Sequence, residues 1–218
     1  MLKGIIFDFD GVIAESVQIK NDAFAELYIS YGNEIVEKVL SHHKANSGVS
    51  RFEKIKYYHN TLLNIDLSEK EIMDLAEKFS SIVINKVIRA SFVPGALGYI
   101  RRNYNRYKLF ISSATPTAEM KQILAGKNII NYFTAIYGSP ELKTNHITDI
   151  CVKNKLKTNE LIFFGDSKSD FNAATFHGIQ FVLRIHEHNK SNFNKFIGPK
   201  IQDFVSIDTN TLFLNGKE

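Results

Sequence analysis

The chain has 218 residues, of which 44% are hydrophobic and 23% charged, as in a globular protein with one large or two smaller domains. Its formal net charge of +4 comes from scattered lysines, which indicates a solvated surface and argues against nucleic-acid binding. The single cysteine, Cys151, excludes an internal disulfide, and no stretch approaches the roughly 20 apolar residues of a membrane span. We therefore expect a cytoplasmic protein that binds neither nucleic acid nor membrane.

The first predicted element is a buried strand from Lys3 to Phe9, rich in Ile and Phe, that runs into a loop at Asp10-Gly11. Alternation along an extended chain points the carboxylates of Asp8 and Asp10 to the same side. Two acids on one face repel each other unless a cation or a proton stands between them. Taken alone, such an Asp-x-Asp before Gly is more often a turn than a catalytic pair.

The next segment, from about Glu15 to Ala90, mixes charged and apolar residues at helical spacing. Ser68 followed by Glu71 matches a capping box at the start of its last long helix. The sequence therefore predicts that this segment is entirely helical.

After Val93-Pro94-Gly95 the pattern changes to alternating strands and helices, which predicts a parallel sheet covered by helices on both sides. The predicted elements are KLFIS, a helix over 117–127, FTAIYG, a helix over 144–155, LIFFG, a helix over 169–177 and QFVLRI, with a possible last strand in IQDFVSI. The fold class is therefore α/β, with a Rossmann-like parallel sheet interrupted after its first strand by a helical insert. We expect residues 1–14 and 93–218 to form the α/β core domain and residues 15–92 to form a helical cap.

Polar residues follow the ends of three further predicted strands, where open α/β sheets bind ligands. Ser112-Ser113-Ala114-Thr115 ends one strand and offers hydroxyl donors to a phosphoryl oxygen. Lys143 follows another and is a point charge that neutralises phosphate. Asp166 and Asp170 follow a third, and acids converging from separate strand ends with one lysine form a hard oxygen cage suited to Mg²⁺.

Together these elements resemble the four motifs of the haloacid dehalogenase superfamily. Asp8-Phe9-Asp10-Gly11-Val12 is similar to motif I, Ser113 to motif II, Lys143 to motif III, and Gly165-Asp166-Ser167 with Asp170 to motif IV. The motifs extend over nearly the whole chain. The helical insert between motifs I and II resembles the cap of the phosphoglycolate phosphatase and β-phosphoglucomutase branch.

The resemblance implies a Mg²⁺-dependent phosphatase acting on a small phosphorylated metabolite. Asp8 would be the nucleophile and Asp10 the general acid and base. Ser113, Ala114 and Lys143 would hold the phosphoryl group. Metal ligation would fall to Asp8, Asp166 and the main-chain carbonyl of Asp10, with Asp170 orienting Lys143 or a metal-bound water.

Within the insert, Ser47-Gly48-Val49-Ser50-Arg51 resembles the cap loop that enters the active site in the β-phosphoglucomutase branch. We expect Arg51 to contact the polar end of the substrate or a second phosphate, because guanidinium pairs bidentately with such groups. A surface ion pair is an equally good interpretation of Arg51.

Several alternatives stay open on the sequence alone. The chain could be a phosphomutase, or a binding module that retains the pocket without turnover, while Asp10 argues against a metal-free dehalogenase. Ser112 could take the place of Ser113 because strand ends are poorly fixed by sequence. His177, His186 and His188 suggest zinc, but a His-x-His pair near a polar tail is more often solvated. The oligomeric state is not readable.

Overall fold

A six-stranded parallel sheet forms the centre of the computed structural model, which describes residues 1–215. The strand order is β3-β2-β1-β4-β5-β6. β1 and β4 form the central pair, with β2 and β3 on one side and β5 and β6 on the other. Every neighbouring pair is parallel. The strands are β1 (Gly4–Phe7), β2 (Lys108–Pro116), β3 (Ala135–Ser139), β4 (Leu161–Gly165), β5 (Gln180–Arg184) and β6 (Lys200–Ile201).

The two central strands are continuous apolar runs, because helices cover both faces of the sheet. All four residues of β1 and all five of β4 are buried. Phe7 of β1 stacks on Phe164 of β4 with ring centroids 5.5 Å apart. The strand order reverses between these two strands, which opens a crevice at their carboxyl ends, the usual position of a ligand site in such sheets.

Five α-helices in the described part of the chain follow residues 15–92. They are α5 (Ala96–Asn103), α6 (Thr117–Gly126), α7 (Lys143–Asn154), α8 (Lys168–Phe176) and α9 (Thr209–Asn215). The parallel sheet flanked by helices confirms the predicted fold class.

Residues 15–92, between β1 and α5, carry four α-helices, and we refer to these residues as the helical insert. Its helices are α1 (Val17–Tyr28), α2 (Asn33–Ala45), α3 (Arg51–Tyr57) and α4 (Glu69–Arg89), with a π-helical turn at Tyr58–Leu63. The predicted capping box is present, since Ser68 and Glu71 bond reciprocally at the start of α4. Aromatic rings form the interior of the insert, as where Phe24 and Phe79 approach to 4.5 Å between centroids.

The chain leaves the core and re-enters it at neighbouring positions. Ala14 and Phe92 form an isolated antiparallel bridge, and the amide of Glu15 donates to the carbonyl of Ser91 at 2.9 Å. The two chain segments that connect the insert to the sheet therefore lie side by side.

The C-terminal segment differs from the sequence prediction. Only Lys200–Ile201 forms a strand, and the following residues leave the sheet edge. The buried ring of Phe204 packs on Tyr99 with centroids 5.1 Å apart, so packing against the core replaces strand pairing. Residues 216–218 of the expected core domain lie outside the described residues. No helix within residues 1–215 has both the length and the apolar character needed to cross a bilayer.

Candidate active site

Three buried carboxylates meet at the carboxyl ends of β1 and β4. Asp8 directly follows β1, Asp166 directly follows β4, and Asp170 lies in the first turn of α8. One oxygen from each lies within 4.8 Å of the others, and their exposed fractions are 5%, 4% and 0%. Gly11 allows the loop after β1 to approach, since it has a φ of +74° and a Cβ there would lie 2.4 Å from Asp166 Oδ2.

Lys143, the first residue of α7, places one buried ammonium among these acids. Its Nζ lies 2.9 Å from Asp8 Oδ2 and 2.5 Å from Asp170 Oδ1. Burial alone would lower the pKa of Lys143, but the charges of Asp170 and Asp8 raise it above its ordinary value. Lys143 is therefore charged over the physiological pH range.

One ammonium does not balance three carboxylates. Burial raises the pKa of Asp8 well above its usual value; Lys143 opposes this, and Asp170 and Asp166 add to it. The pKa of Asp166 is raised in the same way, first by burial and then by Asp170. The cluster thus lacks positive charge, and its hard oxygen donors fit a divalent cation such as Mg²⁺.

Asp10 lies beside this cluster but its carboxylate turns toward the helical insert. Lys20 of α1 forms an ion pair with it, Ser16 Oγ donates to it at 2.6 Å, and Thr115 Oγ donates to it at 3.3 Å. Burial alone would raise the pKa of Asp10, but the charge of Lys20 and these hydrogen bonds lower it below its usual value. An acid surrounded by donors is held in its ionised form.

Two adjoining cavities open at this cluster. A small one of about 40 Å³ is lined by the carboxylates of Asp8, Asp10 and Asp166. A larger one of about 400 Å³ is lined by Lys143 and by Gly48, Val49 and Ser50. These three residues belong to the segment 47–51, which we call the insert loop. Ser113 and Ala114 line both cavities.

The two adjacent serines within β2 have different surroundings. Ser113 faces the cavities, whereas Ser112 Oγ lies 2.9 Å from Nδ1 of His146 in α7. Ser113 and Ala114 line the small cavity with the acids and the larger cavity with Lys143, so the structure brings together the residues predicted to hold phosphate.

Arg51 does not line either cavity. Its Nη2 donates to Glu119 Oε1 of α6 at 2.7 Å and its Nη1 donates to Ser80 of α4 at 2.5 Å. The guanidinium also lies over the Phe79 ring, 4.7 Å from the centroid. Arg51 is 5% exposed, so its ion pair is a buried one rather than the surface pair that was the alternative interpretation. A substrate contact by Arg51 stays a prediction, and in this arrangement a buried carboxylate binds the guanidinium.

His186 is the site residue that sequence reasoning missed. It was expected to be solvated, yet its Nε2 lies 2.8 Å from Asp166 Oδ2 and its side chain is 9% exposed. Burial and the nearby Arg184 lower its pKa to about 4, so the ring is neutral and donates to the carboxylate. His188 is exposed, and His177 bonds the carbonyl of Thr144, so the three histidines do not converge.

Two residues of the insert also reach the small cavity without a sequence signal. Lys20 does so through its ion pair with Asp10. His43 of α2 lines the same cavity, and its Nδ1 lies 2.9 Å from the buried Nζ of Lys54. Lys20 and His43 lie on separate helices, α1 and α2. The sequence therefore contains no local motif that would connect them to the site.

Comparison with known proteins agrees with this geometry. Residues 5–184 match the family described as haloacid dehalogenase-like hydrolase. The fold is similar to β-phosphoglucomutase from Clostridium difficile, with a TM-score of 0.79 and 18% identity over 99% of this chain and 97% of that one. It is also similar to a predicted phosphoglycolate phosphatase from Haemophilus somnus, with a TM-score of 0.73 and 18% identity over 94% and 95% of the two chains.

A third similar structure is CbbY from Rhodobacter sphaeroides in complex with xylulose-(1,5)bisphosphate. Its TM-score is 0.78 and its identity 14%, over 97% of this chain and 99% of that one. At these identities the likeness shows a shared fold.

Proposed function

The chain belongs to the haloacid dehalogenase-like hydrolase family, and on this premise we propose that it is a Mg²⁺-dependent phosphatase of small phosphomonoesters. The observation that carries the proposal is the buried cluster of Asp8, Asp166 and Asp170 with Lys143, which opens on a cavity also lined by Ser113. We further propose that residues 1–14 and 93–218 act as the core domain and residues 15–92 as the cap.

In the proposed reaction Asp8 attacks phosphorus and the bond to the ester oxygen breaks, leaving an aspartyl phosphate. Asp10, ionised in the free site, takes up a proton from solvent as the anionic ester binds and gives it to the leaving oxygen. The carboxylate so formed then removes a proton from the water that hydrolyses the aspartyl phosphate. Lys143 and Ser113 hold the phosphoryl oxygens in place.

Asp8, Asp166 and Asp170 are the side chains that would hold Mg²⁺, which when bound supplies charge neutralisation for the transferred phosphoryl group. The family resemblance adds the main-chain carbonyl of Asp10 as a further ligand. The surplus of carboxylates over ammonium groups supports this assignment, and so do the raised pKa values of Asp8 and Asp166.

The ionised state of Asp10 is the form that activates water in the second half of the reaction. Its donors are Lys20 and Ser16 from the helical insert side and Thr115 from the end of β2. Movement of the insert would therefore change the environment of the general acid and base as the site opens and closes.

Phosphate release from a broad panel of phosphomonoesters, measured with and without Mg²⁺, tests the proposal. Turnover should require Mg²⁺ and should be lost in Asp8→Asn, which keeps the size of the side chain but removes the nucleophilic oxygen anion. Circular dichroism of the variant controls for folding. A folded wild-type protein that releases no phosphate from any ester would refute the proposal.

A phosphomutase is the second candidate, because the insert loop Gly48, Val49 and Ser50 borders the larger cavity and one similar structure is a β-phosphoglucomutase. The two activities differ in their product. Appearance of an isomeric sugar phosphate faster than free phosphate would favour the mutase.

A further inference from the structure

The larger cavity has one phosphate-binding end and one end of different character. Ser113 and Lys143 adjoin the acids. We call the other part of the lining the outer end, and it includes Val49, Glu53, Glu141, Leu142 and Phe176. Its volume of about 400 Å³ is in the range of sites for small organic molecules. The group attached to the phosphate would occupy the outer end.

The cations at this site are already paired with carboxylates. Among the residues that line the two cavities, Lys143 and Lys20 carry the positive charge. Lys143 is bound to Asp8 and Asp170, and Lys20 is bound to Asp10. Neither is available to a charged group at the outer end of the larger cavity.

Arg51 is the next cation along the insert loop, and Glu119 neutralises it. The pair is buried, with the side chains of Arg51 and Glu119 only 4% and 6% exposed. Ser80 ties the pair together, since its hydroxyl donates to Glu119 Oε2 at 2.8 Å while it accepts from Arg51. Releasing the guanidinium to a ligand would leave the Glu119 carboxylate buried without a partner, which is costly.

The outer end instead presents negative and neutral groups. Glu53 of α3 and Glu141 before α7 line the larger cavity. A second phosphate placed there would face two carboxylates without an unpaired cation.

A neutral polar group has a partner in the same cavity. Ser139 lines it and is 4% exposed, yet its hydroxyl has no hydrogen-bond partner among residues 1–215. A buried hydroxyl without a partner is unfavourable, and rotation of the Ser139 side chain into the cavity would let a hydroxyl of the bound ester satisfy it.

We infer that, given the phosphatase activity proposed above, the substrate is a sugar-sized monophosphate whose leaving group is uncharged and bears hydroxyls. A bisphosphate is rejected, because Glu119 holds the one arginine of the insert loop and Glu53 and Glu141 line the outer end. This also disfavours a phosphomutase, since transfer between two positions of a sugar through a bisphosphate requires the site to hold phosphate at both ends.

Matched sugar phosphates test the inference. We would compare kcat/KM for glucose 6-phosphate with glucose 1,6-bisphosphate, and for fructose 6-phosphate with fructose 1,6-bisphosphate, using p-nitrophenyl phosphate as an independent measure of the chemistry. We expect each monophosphate to exceed its bisphosphate by at least about tenfold. Where a sugar phosphate is not turned over, its inhibition constant against p-nitrophenyl phosphate gives the same ranking.

The outcomes separate the inference from the proposed function. Hydrolysis of p-nitrophenyl phosphate together with equal or better use of the bisphosphates would overturn the inference and leave the phosphatase standing. No hydrolysis of any ester would overturn both.

Glu119→Gln tests the residue assigned to the discrimination. The variant keeps the side-chain size but frees Arg51 from its ion pair, so KM for the bisphosphates should fall at least about fivefold relative to the monophosphates. Glu26→Gln, in an exposed ion pair with Lys86, is the matched control. Ser80→Ala, which removes the hydroxyl bonded to both partners, is the second variant if Gln is not tolerated. An unchanged preference in a folded variant would overturn the role of Glu119.

Discussion

Gly48 of the helical insert lies so close to Ser169 of α8 that a Cβ on the glycine would come within 1.9 Å of the serine hydroxyl oxygen. Rotation of the hydroxyl would not relieve the clash, because Ser169 Cβ would also lie at 2.8 Å. The insert loop and the core therefore approach as closely as they do only because residue 48 has no side chain.

Gly48→Ala should accordingly lower kcat/KM, because the insert can no longer approach the core fully. A loss of about tenfold or more is expected, since misplacement of reacting groups by about 1 Å is sufficient for that. Gly98→Ala is the control, as its Cβ would meet only the flexible end of Arg102 at 3.2 Å. Full activity in Gly48→Ala would show that the close approach is not needed for turnover.

Lys20→Met should move the acid limb of the kcat profile to higher pH for an ester whose turnover is limited by hydrolysis of the aspartyl phosphate, the step that needs ionised Asp10. Lys20 supplies the charge and a hydrogen bond that lower the pKa of Asp10 against the effect of burial. Without them the pKa rises, so Asp10 loses the ionised form at a higher pH. The profile is measured with one ester between pH 4 and 9. Lys38→Met, in an exposed pair with Glu34, serves as the comparison, and a coincident limb in the two variants would contradict the role of Lys20.

Lys143→Met should abolish most activity and destabilise the fold. The substitution leaves the buried carboxylates of Asp8 and Asp170 without their ammonium partner, and breaking a buried pair in this way costs about 3–5 kcal/mol. Urea unfolding and phosphate release measure the two effects. Because the metal-free acids can take up protons, the destabilisation should be smaller at pH 5 than at pH 8. Equal losses at both pH values would argue against this electrostatic origin.

Mg²⁺ should raise the melting temperature of the wild-type protein and should do so far less in Asp166→Asn. At a concentration about 100 times the Kd, ligand binding adds about 2.7 kcal/mol, which corresponds to a shift of roughly 5–10 °C for a chain of this size. Asp149→Asn, in a surface ion pair with Lys153 on α7, should keep the full shift. A shift in Asp166→Asn equal to that of the wild type would remove this residue from the metal site.

His146 should make the fold sensitive to acid. Burial, together with Lys143, lowers the pKa of its ring from 6.5 to about 4. The unfolded chain therefore binds more protons between these values, and stability falls as the pH falls from about 6.5 to about 4. His146→Asn should remove up to about 1.4 kcal/mol per pH unit from the slope of the unfolding free energy against pH. An unchanged slope would show that another group accounts for the dependence of stability on pH.

The parts of the site that could be predicted from sequence are those that follow strand ends. Asp8, Lys143 and Asp166 each come just after or close to a strand of the central sheet, and parallel strands bring their carboxyl ends to one edge. The capping box of Ser68 and Glu71 was predictable because it is local.

The parts that escaped prediction depend on how separate elements pack. The contact between Arg51 and Glu119 joins residues 68 positions apart, and its existence depends on how α3 and α4 sit on α6. His186 reaches Asp166 only because β5 runs parallel to β4 and ends at the same edge. Neither arrangement has a periodicity or a spacing that sequence reasoning could use.

The bridge between Ala14 and Phe92 has an evolutionary consequence. A segment whose two ends are adjacent can be exchanged for another of different length or shape without altering the distance that the surrounding strands must span. Selectivity can then diversify through such exchanges without moving the residues at the strand ends that we propose to hold phosphate.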